Sequence, residues 1–158
     1  MVYAVIDTNI FVSAFITKNA TASTRRVINS LFAGRIKPLY NDEIIEEYSE
    51  VLHRSKFHLA DKDIQRLLYF IQTNGIDSSR FPYDGDMPDE DDRVFYEVAL
   101  SEEDSFLVTG NLKHFPKTPK VVTAAQMMEI LDHEENKMKR VCHKFMIHLL
   151  YLLKNTYD

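Results

Sequence analysis

Cysteine appears once in the 158 residues, at Cys142. A lone thiol excludes an internal disulfide framework and a cysteine-built zinc site, and it suits a reducing compartment. Long apolar runs are missing too. The longest, Phe145 to Leu153, is interrupted by His148 and falls short of the ~20 residues a membrane span needs. Met1 to Ile6 lead straight into Asp7 with no basic stretch and no cleavage site, so the chain is expected to be cytoplasmic with no membrane partner. There is no glycine-rich phosphate loop, which speaks against a P-loop nucleotidase. No repeat of fixed period and no long linker divides the chain.

Positive charge is the other shortage. Lys and Arg total 19 against 24 Asp and Glu, a net charge of −5. Taken alone, that argues against a protein that grips nucleic acid with a basic surface. Hydrophobic residues at 45% and charged residues at 27% are close to soluble globular averages, which disfavours a disordered chain. The length suits one domain with its own core.

What is present is an alternation of short apolar runs with longer helical stretches. Val2 to Ile6 reads as a strand buried on both faces. A helix over residues 21 to 33 ends at Gly34. Ile36 to Tyr40 is a short strand weakened by Pro38, and Asn41 or Asp42 caps the helix after it. Asp61 to Thr73 forms another helix, stopped by Asn74-Gly75. A turn-rich segment over 82 to 92 leads into a helix from about Asp92 to Glu102. Strands Ser105 to Thr109 and Lys120 to Val122 follow, then a helix to Leu131 capped by Thr123. This order predicts an α/β fold, a central and mainly parallel sheet flanked by helices, with a C-terminal helical extension. The apolar stripe of that extension (Met138, Val141, Cys142, Phe145, Met146, Leu149, Leu150, Leu152 and Leu153) is expected to pack on the domain rather than on a partner.

In open α/β sheets, sites lie outside the carboxyl ends of the strands. Asp7 ends the first strand, where a carboxylate is costly unless it is paired or binds a cation. An Asp-Thr-Asn turn or helix cap is the plainer reading of Asp7-Thr8-Asn9. Asn111 follows the later strand in a Gly-Asn turn. In the helix after Asn41, Glu46 and Glu50 point away from the apolar stripe 44, 45, 48, 51, 52, whereas Glu47 lies at its edge. Residues 84 to 104 hold ten acids and one basic residue, Arg93. Such crowding is unfavourable unless the acids diverge into solvent or share a cation. Helical phase does not choose between Asp91 and Asp92. Oxygen ligands brought together from these elements select hard cations such as Mg²⁺ or Mn²⁺, which suit phosphodiester hydrolysis. A small-substrate metal phosphatase of the haloacid-dehalogenase type wants an acid where this chain has Asn9.

Four segments in order carry a family resemblance: Val5-Ile6-Asp7-Thr8-Asn9, Glu47 within Glu46 to Leu52, Pro88-Asp89-Glu90-Asp91-Asp92, and Val108-Thr109-Gly110-Asn111-Leu112-Lys113-His114-Phe115. Together they resemble the PIN domain over about residues 2 to 131, and within it the VapC-like toxins of bacterial toxin–antitoxin systems. The resemblance implies a Mg²⁺- or Mn²⁺-dependent ribonuclease in residues 1–132 with an extension in 133–158. It places Asp7, Glu47 and Asp92 as catalytic metal-binding acids, Asn111 as a further oxygen ligand, and Asn9, Asp89 and Thr109 in support. Asp92 is chosen over Asp91 for its spacing to Phe95 and Ala99. Asn111 stands where the family often has Asp, so that ligand carries no charge. The implied partners are an RNA substrate and an antitoxin protein, with a homo-oligomer a further option. The alternative is a PIN fold that binds RNA or protein without cutting. Arg54, Lys56, Lys113, His114, Lys117 and Lys120 are candidate phosphate contacts or ordinary surface charge.

Overall fold

The computed structural model describes residues 1–155, with side chains described through Leu149. Five parallel strands form one sheet: β1 (Val2–Ile6), β2 (Ile36–Tyr40), β3 (Ile76–Asp77), β4 (Ser105–Val108) and β5 (Val121–Val122), in the order β3-β2-β1-β4-β5. Around it lie α1 (Thr8–Ile16), α2 (Ser23–Phe32), α3 (Asp42–Leu52), α4 (Asp61–Asn74), α5 (Arg93–Leu100) and α6 (Ala124–Asn155). The order reverses between β1 and β4, so the crevice where two crossovers part lies at their carboxyl ends.

β1 is central because its residues can be buried on both faces. Ala4, Val5 and Ile6 are buried, paired to β2 on one side and β4 on the other. Pro38 fits within β2 because it precedes the two-residue ladder to β3, which starts at Leu39 and Ile76. α2 ends at Gly34, which takes the left-handed φ of 74° that a side chain would disfavour. Gly75 lets α4 turn into β3 where a Cβ would stand 2.4 Å from the Ile71 carbonyl oxygen.

Several elements differ from the sequence expectation. Residues 8 to 16 form α1, absent from it because Thr8–Ile16 is apolar on nearly every side and shows no single stripe. The strand β3 is too short to leave a periodic signal. α6 does not stop at Leu131. It runs unbroken through residues 132 and 133, opened by a reciprocal cap in which Thr123 Oγ1 accepts from the Gln126 N–H and Gln126 Oε1 from the Thr123 N–H.

The larger correction concerns the far half of α6. Ala124, Met127, Met128 and Leu131 are buried against the domain, but Met138, Val141, Phe145, Met146 and Leu149 are exposed, as is Cys142. The helix outruns the body that would cover it, so the expected packing on the domain does not occur. The stripe positions Leu150, Leu152 and Leu153 lie outside the described side chains.

Candidate functional site

The site grows from the ends of β1 and β4. The Asp7 N–H donates to the Val108 carbonyl, and the Thr109 N–H to that of Val122. Asp7 is also the N-cap of α1, its side chain accepting from the Asn9 N–H at 3.3 Å. The cap and the site are therefore the same residue. Its Oδ2 accepts from Thr109 Oγ1 at 2.6 Å and from Asn9 Nδ2 at 2.7 Å. Thr109 Oγ1 accepts in turn from the Asn111 N–H, and Asn9 Oδ1 from the Gly110 N–H, each at 2.9 Å. Asp7, Asn9, Thr109 and Asn111 thus form one hydrogen-bonded group.

Asp7 is 4% exposed. Burial pushes its carboxyl up to about 6, the nearby Asp92 charge adds to this, and the bonds from Thr109 and Asn9 oppose it. A buried acid near another carboxylate prefers its neutral form unless a cation arrives.

Glu47 comes from α3. Asn41 caps that helix through the Ile44 N–H at 3.0 Å. One turn on, Tyr48 is buried, its hydroxyl donating to the Ile6 carbonyl at the end of β1 and its ring edge-on to Phe11. This contact fixes α3 beside the strand end and leaves Glu47 half-buried, while Glu46 and Glu50 are exposed. Burial raises the Glu47 carboxyl, the Glu50 and Asp92 charges add, and Arg54 opposes them.

Asp92 immediately precedes α5 and is half-buried, whereas Asp91 is exposed. His114, in a short turn of helix after Asn111, places Nδ1 2.7 Å from Asp92 Oδ2 and 3.1 Å from Asp89 Oδ2. Ligand atoms of Asp89, Asp92 and His114 lie within 4.8 Å of one another. Asp7 and Glu47 stand outside that tight group and are linked to it by charge: Asp92 raises both. Burial lifts the Asp92 carboxyl, Asp89 and Asp91 add, and the bond to His114 opposes. The same bond holds His114 above its ordinary value. The donors are mostly hard carboxylate oxygens with one imidazole, which fits a divalent cation such as Mg²⁺ or Mn²⁺.

From the sequence His114 is a candidate phosphate contact or ordinary surface charge, because its two acid partners lie 22 and 25 residues away. The crowded acids of 84 to 104 prove to be partly neutralised by arginine. Arg93 forks onto Glu90 at 2.7 and 2.8 Å. Glu97, buried in α5, accepts from Arg80 Nε at 2.7 Å and from the Tyr83 N–H at 3.0 Å. Burial works to raise Glu97, but these bonds outweigh it and hold the carboxyl below its ordinary value. Glu97 therefore secures the loop that leads to Asp89 and Asp92. Of the candidate cations, Lys120 immediately precedes β5 and turns its Nζ to the start of β4, where it donates to the carbonyls of Ala99, Glu102, Glu103 and Ser105. It is not a phosphate contact at this site. Arg54 pairs with Glu50, and Lys56 lies over the Phe57 ring.

Among known families, the model described as PIN domain matches residues 3–113, more than half of the chain. Neither the curated proteins nor the solved structures yield a match.

Proposed function

The chain belongs to the PIN domain family, whose members are generally nucleases, and on that premise we propose that it is a metal-dependent endoribonuclease hydrolysing RNA phosphodiester bonds. The observation that carries the reading is Asp7: a carboxylate buried at a strand end, raised to about 6, with Glu47 and Asp92 raised beside it. Carboxylates that resist ionisation together have a reason to share a cation. Asp7, Glu47 and Asp92 would hold it, with Asn111 and Asp89 at its margin. A bound Mg²⁺ or Mn²⁺ supplies positive charge against the phosphate and lowers the pKa of water. Thr109 and Asn9 orient Asp7 by donating to one of its oxygens. His114 orients Asp92 and, when protonated, adds a positive charge facing the substrate's phosphate.

The finer reading is a VapC-like toxin held by an antitoxin, with residues 1–132 as the nuclease domain. Its support is the run from Val5-Ile6-Asp7-Thr8-Asn9 to Asn111-Leu112-Lys113-His114-Phe115. Among the described residues no helix is long and apolar enough to cross a membrane.

The test is cleavage of varied RNAs with Mg²⁺ or Mn²⁺, wild type beside Asp7→Asn. Metal-dependent cleavage lost in Asp7→Asn is expected. No cleavage of any RNA would favour the binding-only PIN module, and cleavage persisting in Asp7→Asn would overturn the site. For the toxin role, induced expression should arrest growth with wild type and not with Asp7→Asn.

A further inference from the structure

We propose that Asp89, Asp92 and His114 form a second metal position beside the one headed by Asp7, built for a transition ion of the Zn²⁺ or Fe²⁺ kind rather than for Mg²⁺. It rests on the reading above only in that the two positions share Asp92.

The first ground is a mismatch between one proton and two anions. Asp89 Oδ2 and Asp92 Oδ2 both face the same atom, His114 Nδ1, at 3.1 and 2.7 Å. A ring nitrogen carries at most one hydrogen, and that hydrogen points well at only one acceptor. The Asp92 contact has hydrogen-bond geometry and takes it. Asp89 Oδ1 accepts from the Asp91 N–H at 3.2 Å, while among the described residues no hydrogen bond reaches its Oδ2. That oxygen is turned into the group without a donor of its own. A divalent ion in place of the proton serves all three atoms at once.

The second ground is spacing. An ion with ligands at about 2.1 Å sets two of them at right angles about 3.0 Å apart. The two nitrogen–oxygen separations bracket that value, and all three donors lie within 4.8 Å of one another. They come from segments that are fastened elsewhere. Arg93 donates to the Tyr83 carbonyl and forks onto Glu90, which holds the loop carrying Asp89 and Asp92. The His114 N–H returns to the Asn111 carbonyl at 3.1 Å. Donors already gathered lose little freedom when an ion arrives.

The third ground is the donor set. Asp7, Glu47 and Asp92 offer oxygen alone, which suits a hard cation, whereas an imidazole nitrogen favours zinc and iron over magnesium. Three protein donors leave a position on such an ion open to water or a phosphate oxygen. The side chains are 22–40% exposed, so both can reach it. Without the ion His114 stays the hydrogen-bond donor to Asp92. With it, the Nδ1 proton leaves to water and Nε2 keeps its own hydrogen.

Zn²⁺ alone, added to the full chain at pH 8 in a Cys142→Ser background that removes the exposed thiol, should shift the His114 Nδ1 resonance in ¹⁵N NMR. Mg²⁺ should not. His114→Ala should weaken Zn²⁺ binding roughly a hundredfold or more, at least the upper end of what losing a mere supporting group costs, and Asp89→Asn about tenfold or more. Both side chains are over a third exposed, so circular dichroism should stay unchanged. Asp7→Asn should keep the Nδ1 shift. An unmoved Nδ1 with Zn²⁺, the same shift with Mg²⁺, or His114→Ala binding Zn²⁺ as tightly as its parent would each overturn the proposal. If these fail while Mn²⁺ still binds through Asp7, the second position falls and the hard-cation reading stands. A Zn²⁺ shift in a chain that holds Mn²⁺ equally with and without Asp7 would support the second position and overturn the first.

Discussion

A single carboxylate carries the most information in this molecule. Asp7 is held at about 6 against an ordinary 3.8, so the folded chain keeps its proton to higher pH than the unfolded chain does. Folded protein then binds more protons between these values, and stability falls as pH rises through that window. Above about 6 the loss is complete, at most about 3 kcal/mol from a shift of this size. Asp7→Asn should therefore raise the melting temperature of the metal-free protein at pH 7.5 while abolishing cleavage. A variant that melts lower at pH 7.5 would contradict the burial cost. Thr109→Val removes the 2.6 Å bond that lowers this pKa. NMR titration of the Asp7 carboxyl should show its midpoint move further up, with stability falling about 1–2 kcal/mol.

At the scale of elements, the site depends on fastenings that lie outside it. Glu97 joins α5 to the loop before it through Arg80 and the Tyr83 N–H. Glu97→Leu leaves those donors without their acceptor and should cost roughly 3 kcal/mol in urea denaturation. Faster hydrogen exchange over residues 80–93 should accompany the loss. An unchanged exchange pattern there would show that Glu97 does not hold the loop. Tyr48→Phe strands the Ile6 carbonyl and frees α3 from the end of β1, so it should destabilise by about 1–2 kcal/mol and reduce cleavage through Glu47.

This is also the scale at which the sequence was legible or not. The run Val2 to Ile6 announced its strand because a residue buried on both faces must be apolar, and Asp7 stood out at its end for that reason. Helical phase separates Glu47 from Glu46 and Glu50, and only the family resemblance gives it a place in the site. α1 left no such signal, since a helix apolar all round has no stripe to read. The partners of Glu97 and His114 lie a loop away in sequence, and no local pattern predicts such pairings. For Lys120 the sequence offers a phosphate contact or surface charge, and neither anticipates an ammonium spent on the carbonyls at the start of β4. Apolar spacing identified the α6 stripe correctly, but periodicity tells only that a face is apolar, not what covers it.

Over the whole molecule, the shortage of positive charge takes on a shape. Residues 1–135 hold 23 of the 24 acids, and the tail from Asn136 holds four lysines and an arginine with one acid. The acidic body predicts weak RNA binding without metal, because its excess of carboxylates repels the phosphates. Whether Asp7 belongs to a hard-cation site is read by calorimetric titration of Mn²⁺ at pH 6 in buffers of different ionisation enthalpy. With Asp7 near half-protonated there and Glu47 and Asp92 also raised, binding should release at least about half a proton, and affinity should be at least about tenfold weaker in Asp7→Asn. Equal affinity in the two proteins, or binding with no proton released, would contradict it.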